Sequence, residues 1–498
     1  MGLATVAPAA QSATNSVPWH LDRINQRNGT LDGNADLGAL TGAGVNIYVV
    51  DSGVLSTHEQ FGGRVVPGAD PVTSSGESPI SPRTSDCDGH GTHVAGLAAG
   101  STVGVARGAT VIAVRVLNCN GNGNVENVVA ALKWIRSHHV SGKAAVVNLS
   151  LGVDRGTQAD EIDQQVREML AEGIVVTVAA GNIGQNACTS SPGDVPGALT
   201  VAASTSVDTA ASYSNVGPCV DLFAPGGDNA EKIVSGWFGY FELRNDDGNI
   251  TDQSFQNSGN NSDGAWYFRQ VGTSMAAPLV AGYAALLAQQ QPSLCGAQIS
   301  NAIVQRATPA ALGGVSATTP NRLLYIDTAP VQAAVPGRAS NIITTVSRGS
   351  VLVSWDRPCD GGSSLTKTTV SIFSGTKLVQ TQKLSAGARV ARFTGLKNGV
   401  QYRVRVQHHN GVGNGALTKR VNTVTVRTLR AGETVAVKNI GLFGGDLTLK
   451  WKVDSSSRKV CKVLTKPTRI RFLKAGICRV AITTIAGGAP AIHRLRVN

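Results

Sequence analysis

Between Val45 and Arg306, short β-rich apolar runs alternate with helix-length segments, and this alternation restricts the fold more than any other feature of the 498-residue chain. Strands are read at Val45–Val50, Val111–Leu117, Ala144–Leu149, Ile174–Ala179, Leu199–Ala203 and Asp221–Phe223. Helices are read at Trp19–Gln26, Thr92–Gly100, Val125–His139, Gln158–Glu172, Ser274–Gln291 and Gly296–Arg306. The run Ile174-Val175-Val176-Thr177-Val178 is apolar on both faces of a strand, so both faces must be covered. Strands of this kind alternating with helices specify an α/β fold, a doubly wound parallel sheet. Such sheets carry their chemistry at the carboxyl ends of the strands.

The pattern stops near Ala329–Arg338. Beyond it, helix signals vanish and short alternating runs appear at Ser350–Trp355, Lys367–Phe373, Arg389–Phe393, Gln401–Gln407 and Val421–Val426. Their spacing and turn residues read as a small β-sandwich. The expected domains are 1–330, α/β; 336–428, a β-sandwich; and 429–498, a second small all-β sandwich-type unit. Charge divides at the same place. Residues 331–498 hold 28 Lys+Arg against 5 Asp+Glu, leaving 16 against 27 for the front part. A rear balance of +23 suits an anionic partner such as a cell-surface polymer, and no nucleic-acid-binding motif accompanies it. No run approaches the roughly 18 apolar residues of a transmembrane helix. The first ten residues lack the basic start of a signal peptide and have too short an apolar stretch, so either the export segment is missing from this chain or the protein is not exported.

Three short stretches carry chemistry. Asp51 closes the first apolar strand, His90 leads into the small-residue helix Thr92–Gly100 within Asp88-Gly89-His90-Gly91-Thr92-His93, and Ser274 opens another within Gly272-Thr273-Ser274-Met275-Ala276-Ala277-Pro278. A serine hydroxyl becomes nucleophilic when a base takes its proton, and histidine titrates in the right range. A carboxylate fixes the imidazole tautomer. In the first turn of a helix Ser274 would lie among free N–H groups, with Thr273 as the cap, and Pro278 would sit where its missing N–H has little to bond. Asn182, after Ala179-Ala180-Gly181, offers an amide donor for an oxyanion. His93 reads as structural, since no Glu separates it from His90 as in a zinc H-E-x-x-H. A polar insertion at about 227–268 includes Asn245-Asp246-Asp247-Gly248-Asn249, which lacks EF-hand spacing and reads as a solvated loop. Eight cysteines without a C-x-x-C favour disulfides in an oxidising compartment.

The Asp51, His90 and Ser274 stretches resemble, in order and spacing, the three signatures of subtilisin-like serine proteases. Trp19-His20-Leu21-Asp22-Arg23-Ile24, Asn118-Cys119-Asn120-Gly121-Asn122-Gly123 and Asn321-Arg322-Leu323-Leu324-Tyr325 are similar to the proteinase K branch. The resemblance implies a secreted serine endopeptidase with Asp51, His90, Ser274 and Asn182 as its catalytic groups. It implies that Gly121, Asn122 and Gly123 on one side and Ser150, Leu151 and Gly152 on the other bind an extended peptide. With Ala179, Ala180 and Gly181 opposite Ser150–Gly152, the P1 pocket is expected to take apolar or aromatic side chains broadly. It further implies disulfides Cys87–Cys119 and Cys188–Cys219, structural calcium at no assigned position, no catalytic cofactor, and the protein's own inhibitory propeptide as a partner. Ser354-Trp355-Asp356-Arg357-Pro358 and Phe393–Val404 resemble a fibronectin type III module, with Trp355 and Tyr402 in its core. The last unit resembles bacterial Ig-like modules, with Cys461 and Cys478 as the expected pair; Cys295 and Cys359 are left as either a bridge or two thiols. The alternative reading is a catalytically inactive adhesin or scaffold on the same fold.

Overall fold

The structure, a computed structural model, describes residues 17–72, 85–140, 143–156, 159–237, 242–244, 250–256, 266–339, 342–347, 349–397, 400–418, 421–424, 434–436, 449–453, 459, 461–465, 468–474, 476–484 and 491–497. Two compact units divide the chain, Met1–Gln332 and Ala333–Asn498.

The first unit contains, in order, α1 (Trp19–Ile24), β1 (Asn46–Asp51), β2 (Val65–Pro67), α2 (His90–Ala99), β3 (Thr110–Arg115), α3 (Val125–His138), β4 (Ala145–Leu149), α4 (Ala159–Glu172), β5 (Val175–Ala179), β6 (Leu199–Ser204) and β7 (Leu222–Pro225). There follow β8 (Ile233–Trp237), β9 (Trp266–Gln270), α5 (Thr273–Gln290), α6 (Gly296–Arg306), β10 (Thr308–Pro309) and β11 (Arg322–Leu323). The main sheet runs β10-β11-β7-β6-β5-β4-β1-β3-β2. The eight strands from β11 to β2 are parallel, and only the β10–β11 pair is antiparallel.

Alternation along each strand explains the layers. Side chains of successive strand residues point to opposite faces. Ile47, Val49, Val146 and Val175 therefore join one core with α2, α5 and α6, while Tyr48, Val50, Val147 and Val176 join the other with α3 and α4. α5 is buried almost all round, which its Ala- and Gly-rich sequence permits: every residue from Met275 to Ala288 is buried. A helix this deep needs small side chains to approach a sheet on one side and other helices on the other.

The insertion differs from the solvated loop expected of it. Its two ends are β8 and β9, which pair antiparallel from Ile233↔Gln270 to Trp237↔Trp266, with Trp237, Tyr267 and Phe268 buried. Apolar and aromatic residues at both ends outweigh the Asn/Asp/Gly composition between them. The segment 245–249 lies outside the described residues.

The second unit begins with β12 (Ile343–Ser347), β13 (Ser350–Ser354), β14 (Leu365–Ser374), β15 (Lys377–Ser385), β16 (Val390–Phe393), β17 (Gln401–Asn410) and β18 (Val421–Val424). They form two antiparallel sheets, β12-β13-β16 and β15-β14-β17-β18. Trp355, Ile372, Phe393, Tyr402, Val404 and Val406 fill the core between them. Trp355 and Tyr402 are thus packing residues, and the Tyr402 hydroxyl accepts from the Lys397 backbone N–H at 3.0 Å. Beyond residue 433 the described strands form two further three-stranded antiparallel sheets.

Candidate active site

β1 ends in Asp51, whose side chain is fully buried. Its Oδ1 accepts from the Ser52 backbone N–H at 2.8 Å and from His90 Nδ1–H at 2.8 Å. An ionised carboxylate only accepts, so the hydrogen lies on Nδ1 and Nε2 is left as the basic nitrogen. The imidazole is 23% exposed.

α2 begins at His90 itself, two residues earlier than the sequence pattern indicates. The cause is Asp86, a buried carboxylate that substitutes for an ordinary cap. Its oxygens accept from the backbone N–H groups of Asp88, Gly89 and Thr92, and from the hydroxyls of Ser52 and Thr92, at 2.6–3.0 Å. A carboxylate at this end is also favoured by the helix dipole. Gly91 must be glycine: a Cβ there would lie 2.1 Å from the Gly53 carbonyl oxygen. Burial pushes the His90 imidazole down, but the carboxylates of Asp51, Asp88 and Asp86 outweigh it and raise the group to about 9. For Asp88 the order is burial first, which pushes its carboxyl up against the opposing pull of His90.

His93, one turn along α2, is fully buried, and its Nε2 lies 3.2 Å from the carbonyls of both Ile233 in β8 and Phe268 in β9. Burial lowers it to about 3, so it is neutral and donates to those two acceptors. It is a structural clamp from α2 to the root of the insertion.

Gly272 (φ +151°) precedes α5, a conformation that favours glycine. Here the expectation that Thr273 caps the helix fails. Gly272 occupies the cap position, and Thr273, the first helical residue, turns inward. Its backbone N–H and its hydroxyl both donate to Asn182 Oδ1, at 2.8 and 2.9 Å, while Thr273 Oγ1 accepts from the Gly181 N–H at 3.1 Å. Two donors on Oδ1 fix which end of the amide is oxygen, leaving the Asn182 NH2 as a donor beside Ser274.

Ser274 lies in the first turn, where backbone N–H groups have no intrahelical acceptor. Its hydroxyl donates to the Ser150 carbonyl at 3.3 Å, and among the described hydrogen bonds none joins it to His90, whose Nε2 can accept a proton only in the neutral form that prevails above about pH 9. The reading of Pro278 also needs correction. As the sixth helical residue it would, with an N–H, bond the carbonyl of Ser274 four residues earlier. The Ser150 hydroxyl supplies that missing donor, reaching the Ser274 carbonyl at 2.9 Å. Ser150 Oγ accepts in turn from Asn148 Nδ2, whose Oδ1 accepts from the Thr177 hydroxyl, both at 2.9 Å.

Around this centre the structure places Gly121, Asn122 and Gly123 in an exposed turn beside Asp88, whose Oδ1 is 3.3 Å from where a Gly121 Cβ would stand. Cys87 and Cys119 are disulfide-bonded and tie that turn to the loop carrying Asp86 and Asp88. Ser150 is buried while Leu151 and Gly152 emerge toward the surface; Ala179 and Ala180 are buried and Gly181 is partly so. A second disulfide joins Cys188 to Cys219. No described cysteine is free, and the Cys478 side chain lies outside the described residues. Among the described residues, no group of three or more His, Cys, Asp or Glu is gathered to hold a metal ion, and no helix is long and apolar enough to cross a membrane. Motif reading passed over Asp86 and Asn148, which hold the histidine turn and Ser150, and read Thr273 only as a cap. Of the first two only Asp86, in Asp86-Cys87-Asp88-Gly89-His90, left a local signal.

The subtilase-family pattern matches residues 42–324, and the fibronectin type III pattern matches residues 337–424. The chain is 42% identical over 307 residues to an extracellular serine proteinase of Thermus sp. (strain Rt41A), covering 62% of this chain and 65% of that one. It is 38% identical over 325 residues to alkaline serine exoprotease A of Vibrio alginolyticus, covering 65% and 53%. The chain thus spans between about half and two thirds of the length of these curated relatives. The crystal structure of a cold adapted subtilisin-like serine proteinase matches with 39% identity and a TM-score of 0.52, covering 63% of this chain and 99% of that one.

Proposed function

From the premise that the chain belongs to the subtilase family, we propose that it is a secreted serine endopeptidase that cleaves peptide bonds through an acyl-enzyme. The observation that carries the reading is the fixed pair Asp51–His90 at 2.8 Å, together with an Asn182 amide oriented by Thr273 beside Ser274.

In this mechanism substrate binding draws the Ser274 hydroxyl from Ser150 to His90 Nε2, a bond that commonly tightens only in the enzyme–substrate complex. Ser274 Oγ attacks the carbonyl carbon as its proton passes to Nε2. The Asn182 NH2 and the Ser274 backbone N–H donate to the oxyanion. His90 then hands its proton to the departing amine. Water, deprotonated by His90, attacks the ester carbon, and His90 returns that proton to Ser274 Oγ as the C–Oγ bond breaks and the acid product leaves. Asp51 stays ionised, holding the Nδ1 proton and stabilising the imidazolium.

Gly121–Gly123 and Ser150–Gly152 would pair with an extended substrate backbone, giving affinity through main-chain bonds. The small walls Ala179, Ala180 and Gly181 suit apolar or aromatic P1 side chains without sharp selection. The basic second unit holds the enzyme at an anionic surface. The comparison with an extracellular relative supports secretion, as do the disulfides.

A fluorophosphonate probe applied to folded chain tests the catalytic reading. Labelling at Ser274, located by peptide mass spectrometry and abolished by His90→Ala, is the expected result. A folded chain that takes no label would overturn the reading and leave a scaffold or adhesin built on the same fold.

A further inference from the structure

The anionic-surface reading leaves open which surface of the second unit makes the contact. We propose that the outward face of the four-stranded sheet, on β14, β15 and β17, docks a linear acidic polysaccharide. The inference rests on that attachment reading and gives it a location.

Registration of the three strands places the relevant side chains. Thr369 of β14 pairs with Lys383 of β15 and with Gln407 of β17. Ser371 pairs with Thr381 and Arg405, and Lys367 with Ser385 and His409. Phe373 pairs with Arg403. Alternation sends Val370, Ile372, Val404 and Val406 into the core, so Lys367, Lys383, Arg403 and Arg405 belong to the opposite face. Lys367 and Lys383 are exposed, and the two arginines are partly so.

Three properties of this face fit one kind of partner. First, its charge is of one sign: β14, β15 and β17 contain no Asp or Glu, and among the described ion pairs none involves the four cations. Secondly, the cations fall in successive rows about 7 Å apart along the strands, so they track a rod-like chain over about 20 Å. Thirdly, Thr369, Ser371, Thr381 and Gln407 lie among them; they already bond to His409, to each other (Ser371 with Thr381) and to Gly415, and their remaining lone pairs and hydrogens are what sugar hydroxyls would use. The face suits nucleic acid less well. Single strands need open aromatic platforms, and the aromatic ring here, Phe373, lies under the Arg405 guanidinium at 6.0 Å.

The test uses the full chain on a resin carrying polygalacturonate, loaded at low ionic strength and eluted with rising salt. A face variant carries Lys367→Gln, Lys383→Gln, Arg403→Gln and Arg405→Gln. A control with the same net charge carries Arg338→Gln, Arg357→Gln, Arg392→Gln and Lys397→Gln, exposed cations of the same module outside these three strands. A cooperative melt verifies folding of both. Each cation near an anionic surface contributes roughly fivefold in affinity, so the face variant is expected to weaken about a hundredfold or more while the control stays within a few fold. Equal weakening of both variants would overturn the site, as would absence of retention of the parent chain. Stronger competition by single-stranded DNA than by soluble polygalacturonate, at equal charge concentration, would reassign the face to nucleic acid and also overturn the proposal. Hydrolysis of a soluble peptide, read in parallel, separates the two readings: retention by a chain that hydrolyses nothing sinks the peptidase and leaves the docking face standing.

Discussion

Replacing Ser150 by alanine removes a hydrogen bond that an ordinary helix would not need. In most helices the carbonyl at position i accepts from the N–H at i+4, but Pro278 has none to give Ser274. Ser150→Ala therefore leaves the Ser274 carbonyl without its donor and strips Asn148 Nδ2 of its acceptor at 2.9 Å. An orphaned buried polar group costs about 1–3 kcal/mol, so stranding two of them is expected to cost about 2–6 kcal/mol. The mechanism predicts a specific rescue. Pro278→Ala restores an N–H at i+4, so Ser150→Ala should cost about 1–3 kcal/mol less in that background, because only the Asn148 group is then stranded. Urea unfolding of the four members of the cycle, all carrying Ser274→Ala to suppress autolysis, measures the coupling. The cavity left by shortening Pro278 appears on both sides and cancels. If Ser150→Ala costs the same whether residue 278 is proline or alanine, the exchange of donors is not what holds the turn, and the argument fails.

Three other outcomes follow from the site. Asn182→Ala should lower kcat by the equivalent of about 2.7–4 kcal/mol, a figure carried over from subtilisin itself, whereas Thr273→Val should cost part of that and almost nothing once Asn182 is gone; comparable losses in both backgrounds would deny Thr273 its orienting role. Asp88→Asn removes one of the negative charges that lift His90 toward 9, so the rise of kcat/KM with pH should move to lower pH, and an unmoved profile would exclude the coupling. His20 and His93 are buried and neutral, lowered chiefly by burial to about 4 and 3. The unfolded chain takes up these protons below about pH 6.5 while the native chain refuses them, so stability is lost as pH falls, by about 2 kcal/mol per histidine between pH 6.5 and 5. His90 acts in the opposite direction, with stability present below about 6.5 and lost as pH rises toward 9. Unfolding free energies that stay flat from pH 7 to 5 would contradict the histidine assignment.

How much of this was legible from residues alone depends on how local the signal is. The parallel sheet could be read because buried strands such as Val175–Ala179 are continuously apolar, and His90 and Ser274 because glycines and small residues mark their turns. Ser150 was readable only as a pocket wall. Its role as a donor depends on a contact 124 residues away in sequence and on the geometry of a proline in a helix. Lys377–Ser385 escaped notice as a strand because an edge strand with an exposed face has few apolar positions to alternate. β8 and β9 were hidden in a stretch judged by the composition of its middle. Ile233-Val234-Ser235-Gly236-Trp237 and Trp266-Tyr267-Phe268 carried a strand signal all the same.

The His93 clamp bears on how the insertion can vary. Since β8 and β9 are zipped together at the base and both are bound to α2 through one neutral imidazole, the two ends leave the body of the unit as neighbours whatever joins them. That is the geometry of a socket. Sequence grafted between Trp237 and Trp266 would meet the fold at two adjacent attachment points, and changes in its length would cost only the slowly growing entropy of closing a longer loop. Because the paired root stays fixed to α2, this position is a natural port for adding a recognition element to the protein.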